Sequence, residues 1–353
     1  MTTRPALTLL CLLAPLLAGA DALDIYGNLI GKTVLMPSAL PVLADSMISD
    51  LPDDKTKAIA RIENALSEKG LEVLQDGPHF VRVFRREARG FLTNTPLRGA
   101  ELAATPGQAA TPAGNFSITG ADLSQVLAFY AQLRQRTILR PAVLPGPPVR
   151  LQSQGALTRE EGAYAVATVL ALNGVCVLDD GAKFVQVVPW YQKPYVRTRA
   201  PQPEPGAKLF DPEKVPSMGL PNSPGPLTET ERIERELERL RKAFYDLMHL
   251  PDPRKHPAKR LLEFYAGLSG KRAVPSKNVD GTQVWFHVET PLAKGELLYA
   301  IEITFALNSL AIIPVDDHRI RLGNEGKALK NTRKRIEPGQ PKREGVLGRQ
   351  QVQ

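Results

Sequence analysis

The chain has 353 residues, with 45 Lys and Arg against 37 Asp and Glu for a formal net charge of +8, and 43% of its residues are hydrophobic. That length accommodates two or three domains of ordinary size, and the composition is that of a globular chain. Two cysteines exclude a disulfide-stapled scaffold, while the 31 prolines exceed the usual share and cluster, which marks linkers.

Residues 1–20 carry an early positive charge at Arg4, an apolar run from Ala6 to Leu17, and then Ala18, Gly19 and Ala20. This is the layout of a secretory signal that permits cleavage after Ala20, and the same small-residue rule accommodates cleavage after Ala22. The run is too short for a membrane-spanning helix, which needs about twenty residues, and no later stretch approaches that length. Cys11 leaves with the signal, so Cys176 stands alone and the units must hold by core packing.

Beyond the signal the chain repeats itself. A shift of 104 residues places 26–85 on 130–189 without a gap, with 17 of 60 positions identical. Thr33, Leu35, Pro37, Leu40 and Pro41 fall on Thr137, Leu139, Pro141, Leu144 and Pro145, and Gly70, Val73, Asp76, Gly77, Phe80 and Val83 fall on Gly174, Val177, Asp180, Gly181, Phe184 and Val187. A second shift, of 135, places 121–187 on 256–322 with 14 of 67 positions identical, including Phe129-Tyr130-Ala131 on Phe264-Tyr265-Ala266. The first unit then spans 21–88, the second 115–192 and the third 251–324.

The middle unit gives the clearest local pattern. Residues 115–119 read as a short strand, and Asp122-x-x-Gln125 caps a helix whose Leu123, Val126, Leu127, Tyr130 and Leu133 share one face. Thr137-Ile138-Leu139 is a β-branched strand stopped by proline, and Val149 and Leu151 alternate with polar neighbours as in a half-wet strand. Thr158-x-x-Glu161 caps a second helix ended by Gly174, and strands 175–178 and 184–188 flank the turn signal Asp179-Asp180-Gly181. The expected fold class is α+β: repeated small units of strand, helix, two strands, helix and two strands, each a sheet covered on one side by two helices. Such a unit leaves its sheet edges and one face for neighbours.

Residues 89–114 and 193–226 read as extended, solvated linkers, the latter with nine prolines in 34 residues. Residues 227–250 form a heptad helix in which Ile233, Leu237, Leu240, Phe244 and Leu247 make an a/d seam, flanked by the pairs Glu231 with Arg235 and Glu238 with Lys242. The seam fits packing on the third unit; the sharper alternative is self-association into a homo-oligomer through this helix. This helix takes the place of the early strand in the third unit. Residues 325–353 hold eight Lys or Arg against three Glu, a net +5, and lack apolar periodicity, as a basic disordered tail does.

Phe116-Ser-Ile-Thr-Gly-Ala-Asp122-Leu123, Thr137-Ile-Leu-Arg-Pro141, Leu157-Thr-Arg-Glu-Glu161, Leu172-Asn-Gly-Val175 and Phe184-Val-Gln-Val-Val-Pro189 together resemble the repeated amino-terminal domain of bacterial secretins of the type II secretion and type IV pilus class. The resemblance implies a KH-like, ring-forming periplasmic domain and, as partners, a secretin or other secretion-machine subunits. The family's glycine-rich barrel has no counterpart in these residues, so the expectation is ring domains without the pore.

Gly27-x-x-x-Gly31-Lys32-Thr33 is one residue short of a phosphate loop and falls on a helix end. Gly323-Asn324-Glu325-Gly326 has KH spacing but follows the last strand instead of joining two helices. His79, His249, His256, His287 and His318 lack metal-ligand spacing, and Asp179-Asp180 and Asp316-Asp317 sit in hairpin turns where Asp bonds backbone. No nucleophile motif occurs. No enzyme, metal or cofactor role is expected, and the basic tail supplies the alternative of polyanion binding during DNA uptake.

Overall fold

The computed structural model describes residues 22–40, 51–89, 99–103, 112–115, 117–196, 200–202, 206–214, 228–249, 256–276, 279 and 281–324. The signal, the basic tail, the 323–326 motif beyond Asn324 and much of both proline-rich segments fall outside that set. The described chain is α+β, with several small sheets flanked by helices. It divides into two compact units, one running to Pro212 and including His287–Ala293, the other formed by Glu213–Phe286 and the residues from Lys294 onward.

The first unit opens with α1 (Ala22–Ile30), β1 (Thr33–Leu35), α2 (Lys55–Glu68), β2 (Leu71–Asp76) and β3 (Phe80–Arg85). Asp54 caps α2 by accepting from the Lys57 N–H, and Ala58, Ile62 and Leu66, four residues apart, form its buried stripe. Gly77, at φ 75°, turns the chain from β2 into β3 in a conformation that glycine adopts without steric cost. The sheet order is β1-β3-β2, with β1 parallel and β2 antiparallel to β3. Val81 and Val83 on one face of β3 join Tyr26, Ile62, Leu66 and Leu71 in the core.

The same unit continues through α3 (Gly99–Ala103), β4 (Pro112–Gly114), β5 (Ser117–Ala121), α4 (Leu123–Arg134), β6 (Thr137–Leu139), β7 (Val149–Gln152), β8 (Leu157–Thr158), α5 (Arg159–Leu172), β9 (Val175–Asp180) and β10 (Phe184–Pro189). The early strand begins two residues later than expected, and it pairs with β7 in a separate ladder. Both expected capping boxes are present, Asp122 with Gln125 and Thr158 with Glu161. The second three-stranded sheet has the order β6-β10-β9, and its register Thr137↔Phe184 is Thr33↔Phe80 moved by 104 residues.

Two described stretches of the proline-rich segments differ from free linkers. β4 pairs with β8, and β11 (Leu209–Phe210) pairs with β15 (Leu292–Ala293). Phe210 is 1% exposed, so its burial adds about 1.5–3 kcal/mol that a solvated linker would forgo.

The other unit contains α6 (Glu229–Met248), β12 (His256–Pro257), α7 (Ala258–Leu268), β13 (Arg272–Ala273), β14 (Gln283–Val284), α8 (Lys294–Leu307), β16 (Leu310–Pro314) and β17 (Arg319–Asn324). Its sheet order is β13-β17-β16, and Arg272↔Arg319 repeats Thr137↔Phe184 at the 135-residue offset. β12 pairs with β14 through His256↔Val284, the counterpart of Ala121↔Val149. A remnant of the early strand therefore survives where α6 alone was expected, because the two-residue ladder needs only backbone groups.

Candidate interaction site

The first two repeats meet at a buried carboxylate. Asp76 ends β2 and Arg82 lies on β3, on the face opposite Val81 and Val83. The Arg82 Nε donates to Asp76 Oδ2 at 2.6 Å with both side chains fully buried. Tyr164, on α5 of the second repeat, donates its hydroxyl to the same oxygen at 2.5 Å, also contacts Arg82 Nη2, and lies under the guanidinium at 5.7 Å from its ring centroid. The remaining oxygen, Oδ1, accepts from the Gly99 N–H at 3.1 Å. A buried ion pair is tolerated when its further hydrogen bonds are satisfied, and here the second repeat and the linker supply them.

Further contacts join the two repeats around this centre. Phe80 meets Tyr164 edge-on at 5.6 Å, and His79 Nδ1 lies 2.5 Å from Glu161 Oε1 while the other Glu161 oxygen caps its own helix. Arg150 pairs with Asp24, Ser38 donates its backbone N–H to Asn173, and the Gln154 N–H donates to Thr33 Oγ1. A Cβ added at Gly99 would lie 2.1 Å from the Asp76 carbonyl oxygen, so α3 approaches this closely only with glycine there.

The arrangement recurs at the 104-residue offset with altered chemistry. Asp180 accepts from Gln186 Nε2 at 2.7 Å and from the Ala200 N–H at 2.9 Å, as Asp76 does from Arg82 and Gly99. Thr137 Oγ1 accepts the Glu289 N–H as Thr33 accepts that of Gln154, and 289 is 154 moved by 135. The proline-rich segments are thus fastened because a buried carboxylate in each preceding sheet requires an N–H donor. Asp180, expected to serve a turn, is 0% exposed and holds Gln186 and the Ala200 N–H.

In the third sheet the corresponding residues are Val315 and Arg321, and the face changes character. Phe80, Arg82, Phe84, Phe184, Gln186 and Val188 are buried, whereas Arg319 and Arg321 are exposed and only Ile320 and Leu322 of β17 point inward. Arg319 is held by Asp316, whose carboxyl that guanidinium's hydrogen bond keeps below the usual carboxylate range.

The seam residues of α6 are divided. Phe244 and Leu247 are buried, and Phe244 stacks on Phe264 of α7 at 5.8 Å. Leu237 and Leu240 are half-buried, while Ile233 is 60% exposed. Glu231 caps the helix through Thr228 and Glu238 pairs with Arg241 at 2.6 Å, in place of the expected partners Arg235 and Lys242. Lys242 instead pairs with Asp246 at 2.9 Å.

One tyrosine occupies the same helical position in each repeat. Tyr26 donates to Glu63 and Tyr265 to Glu302, both at 2.6 Å and both 37 residues apart in sequence. Burial, reinforced by the neighbouring carboxylate, pushes both phenols well above their ordinary range. Tyr130, where Ala167 replaces the acid, is pushed up to about 12 by burial. Burial also pushes the Cys176 thiol up, away from reactivity.

Among the described residues no group of three or more His, Cys, Asp or Glu is placed to hold a metal, and no helix is long and apolar enough to cross a membrane. Comparison with protein-family models, with curated proteins and with solved structures finds no match.

Proposed function

We propose that this chain is a non-enzymatic, exported scaffold or accessory subunit of a secretin-type secretion or pilus machine. It is built of three secretin-N-like units and works in the periplasm through protein–protein contacts and ring assembly. One observation carries the reading: the sheet face of the first repeat is spent on binding a neighbouring folded unit, through Phe80, Arg82 and the Tyr164 and Glu161 side chains of α5. A face that recognises a helix by an aromatic contact and a buried charge is a protein-recognition surface. The signal-like leader and the secretin-like motifs supply the setting.

Size-exclusion chromatography with light scattering tests it, with the protein alone and mixed with an amino-terminal secretin fragment. The expected result is a stoichiometric complex or a closed oligomer. A strict monomer that leaves the fragment untouched contradicts the reading.

Exposed Arg272 and Arg321 on the third sheet, with the net +5 of residues 325–353, support a second reading as a polyanion binder during DNA uptake. Phosphate-driven binding weakens steeply with salt, so equal DNA retention at 50 mM and 200 mM salt, or none at the lower, excludes it.

A further inference from the structure

The third repeat carries a cleft at the place where each of its two relatives bonds a cation to its own acceptors. Tyr265, Lys271, Glu302, Ala306 and Ile320 line it, together with the edge strand β16. In the first repeat the cation at this place, Lys32, donates to Gln75 Oε1 at 2.7 Å and to the Gly77 carbonyl at 2.9 Å. In the second, Arg136 donates to Asp179 at 2.6 Å. The 135-residue offset that carries Arg136 to Lys271 carries Asp179 to Pro314, whose side chain has no acceptor. Among the described residues the Lys271 side chain has neither hydrogen bond nor ion pair.

The adjoining edge differs in the same direction. β2 carries Glu72 and Gln75 and β9 carries Asp179, polar groups that discourage strand addition, whereas β16 is apolar from Leu310 to Ile313 and meets an edge-blunting proline only at its last residue, Pro314. Among the described residues β16 pairs with β17 alone, so its other edge offers unpaired backbone groups.

We infer that this cleft and edge bind an extended, uncharged apolar peptide segment of a partner protein, which adds as a strand to β16 and gives a carbonyl oxygen to Lys271. Charge balance selects that occupant. Glu302 shares the cleft with Lys271, and Lys32, the counterpart of Lys271 in the first repeat, is satisfied by neutral oxygens. Only the second repeat, with Ala167 in place of the acid, uses a carboxylate. Apolar side chains of the segment enter between Leu310, Ile312 and Ile320. This inference is independent of the secretion setting.

The test is selection of a random peptide library displayed with free ends on the purified full-length protein, with Pro314→Gln as counter-target, since that substitution restores the acceptor that Gln75 provides. Circular dichroism checks that Pro314→Gln and Lys271→Met fold. The expected result is recovery of uncharged, β-branched-rich peptides that bind the wild type at least tenfold more tightly than either variant and protect amides of residues 310–313 from exchange. Recovery of no peptide, of acidic peptides only, or of peptides that bind all three proteins equally overturns the inference. So does a wild-type dimer that pairs through β16.

Discussion

At the scale of single residues, the joint between the first two repeats depends on a charge taken out of water. Arg82→Ala leaves Asp76 buried without its cation, and the expected loss is about 3–5 kcal/mol in a denaturant titration. Arg82→Gln is milder, because the second repeat already holds its buried Asp180 with Gln186 in the same register. Equal losses for the two variants would deny that the hydrogen bond to the carboxylate is what matters. Gly99→Ala is expected to detach α3, seen as faster amide exchange over residues 99–103, because the new Cβ collides with the Asp76 backbone. The three repeat tyrosines give a pH signature. A phenol whose folded pKa is raised contributes stability below its unfolded value near 10, and that contribution is lost as pH rises toward the folded value. Absorbance at 295 nm should therefore show Tyr26, Tyr130 and Tyr265 still protonated at pH 10 and ionising only at higher pH, together with unfolding.

Elements were legible where one local rule decided them. The capping boxes at Asp122 and Thr158, the helix faces and the hairpins followed from short sequence patterns. The buried roles of Asp76 and Asp180 were less visible, since an Asp before Gly is the ordinary signature of a turn. The clue lay in β3, where Arg82 interrupts an apolar run; a charge on a strand buried on both faces demands a partner. The fastened linkers were hard to read, because apart from Phe210 their anchors are backbone groups, and any residue but proline offers an N–H. The α6 seam was legible as apolar, and packing on the third unit was one of its two readings; Phe244 and Leu247 are used there, while Ile233 stays exposed. Phe244→Ala is expected to lower the stability of its unit by about 3–5 kcal/mol, and Ile233→Ala to stay within about 0.5 kcal/mol. A sedimentation shift from dimer to monomer on Ile233→Ala would instead assign the seam to self-association.

For the whole molecule, the third sheet's polar face is the telling difference. Repeat arrays end in units with wet outer faces, which stops further stacking, and β17 has Arg319 and Arg321 where the earlier strands bury Phe80 and Arg82 or Phe184 and Gln186. The first repeat shows the complementary trait, since Lys57 and Ala60, counterparts of Glu161 and Tyr164, are exposed. Neither of these two surfaces repeats the joint, so the proposed assembly would engage others. Hydrogen–deuterium exchange of the full chain, with and without an amino-terminal secretin ring fragment, tests the proposed role most directly. The account predicts protection on solvent-facing repeat surfaces such as α2, β16 or the exposed half of α6, with the Asp76 joint unchanged. Exchange that is identical everywhere with and without the fragment would contradict it.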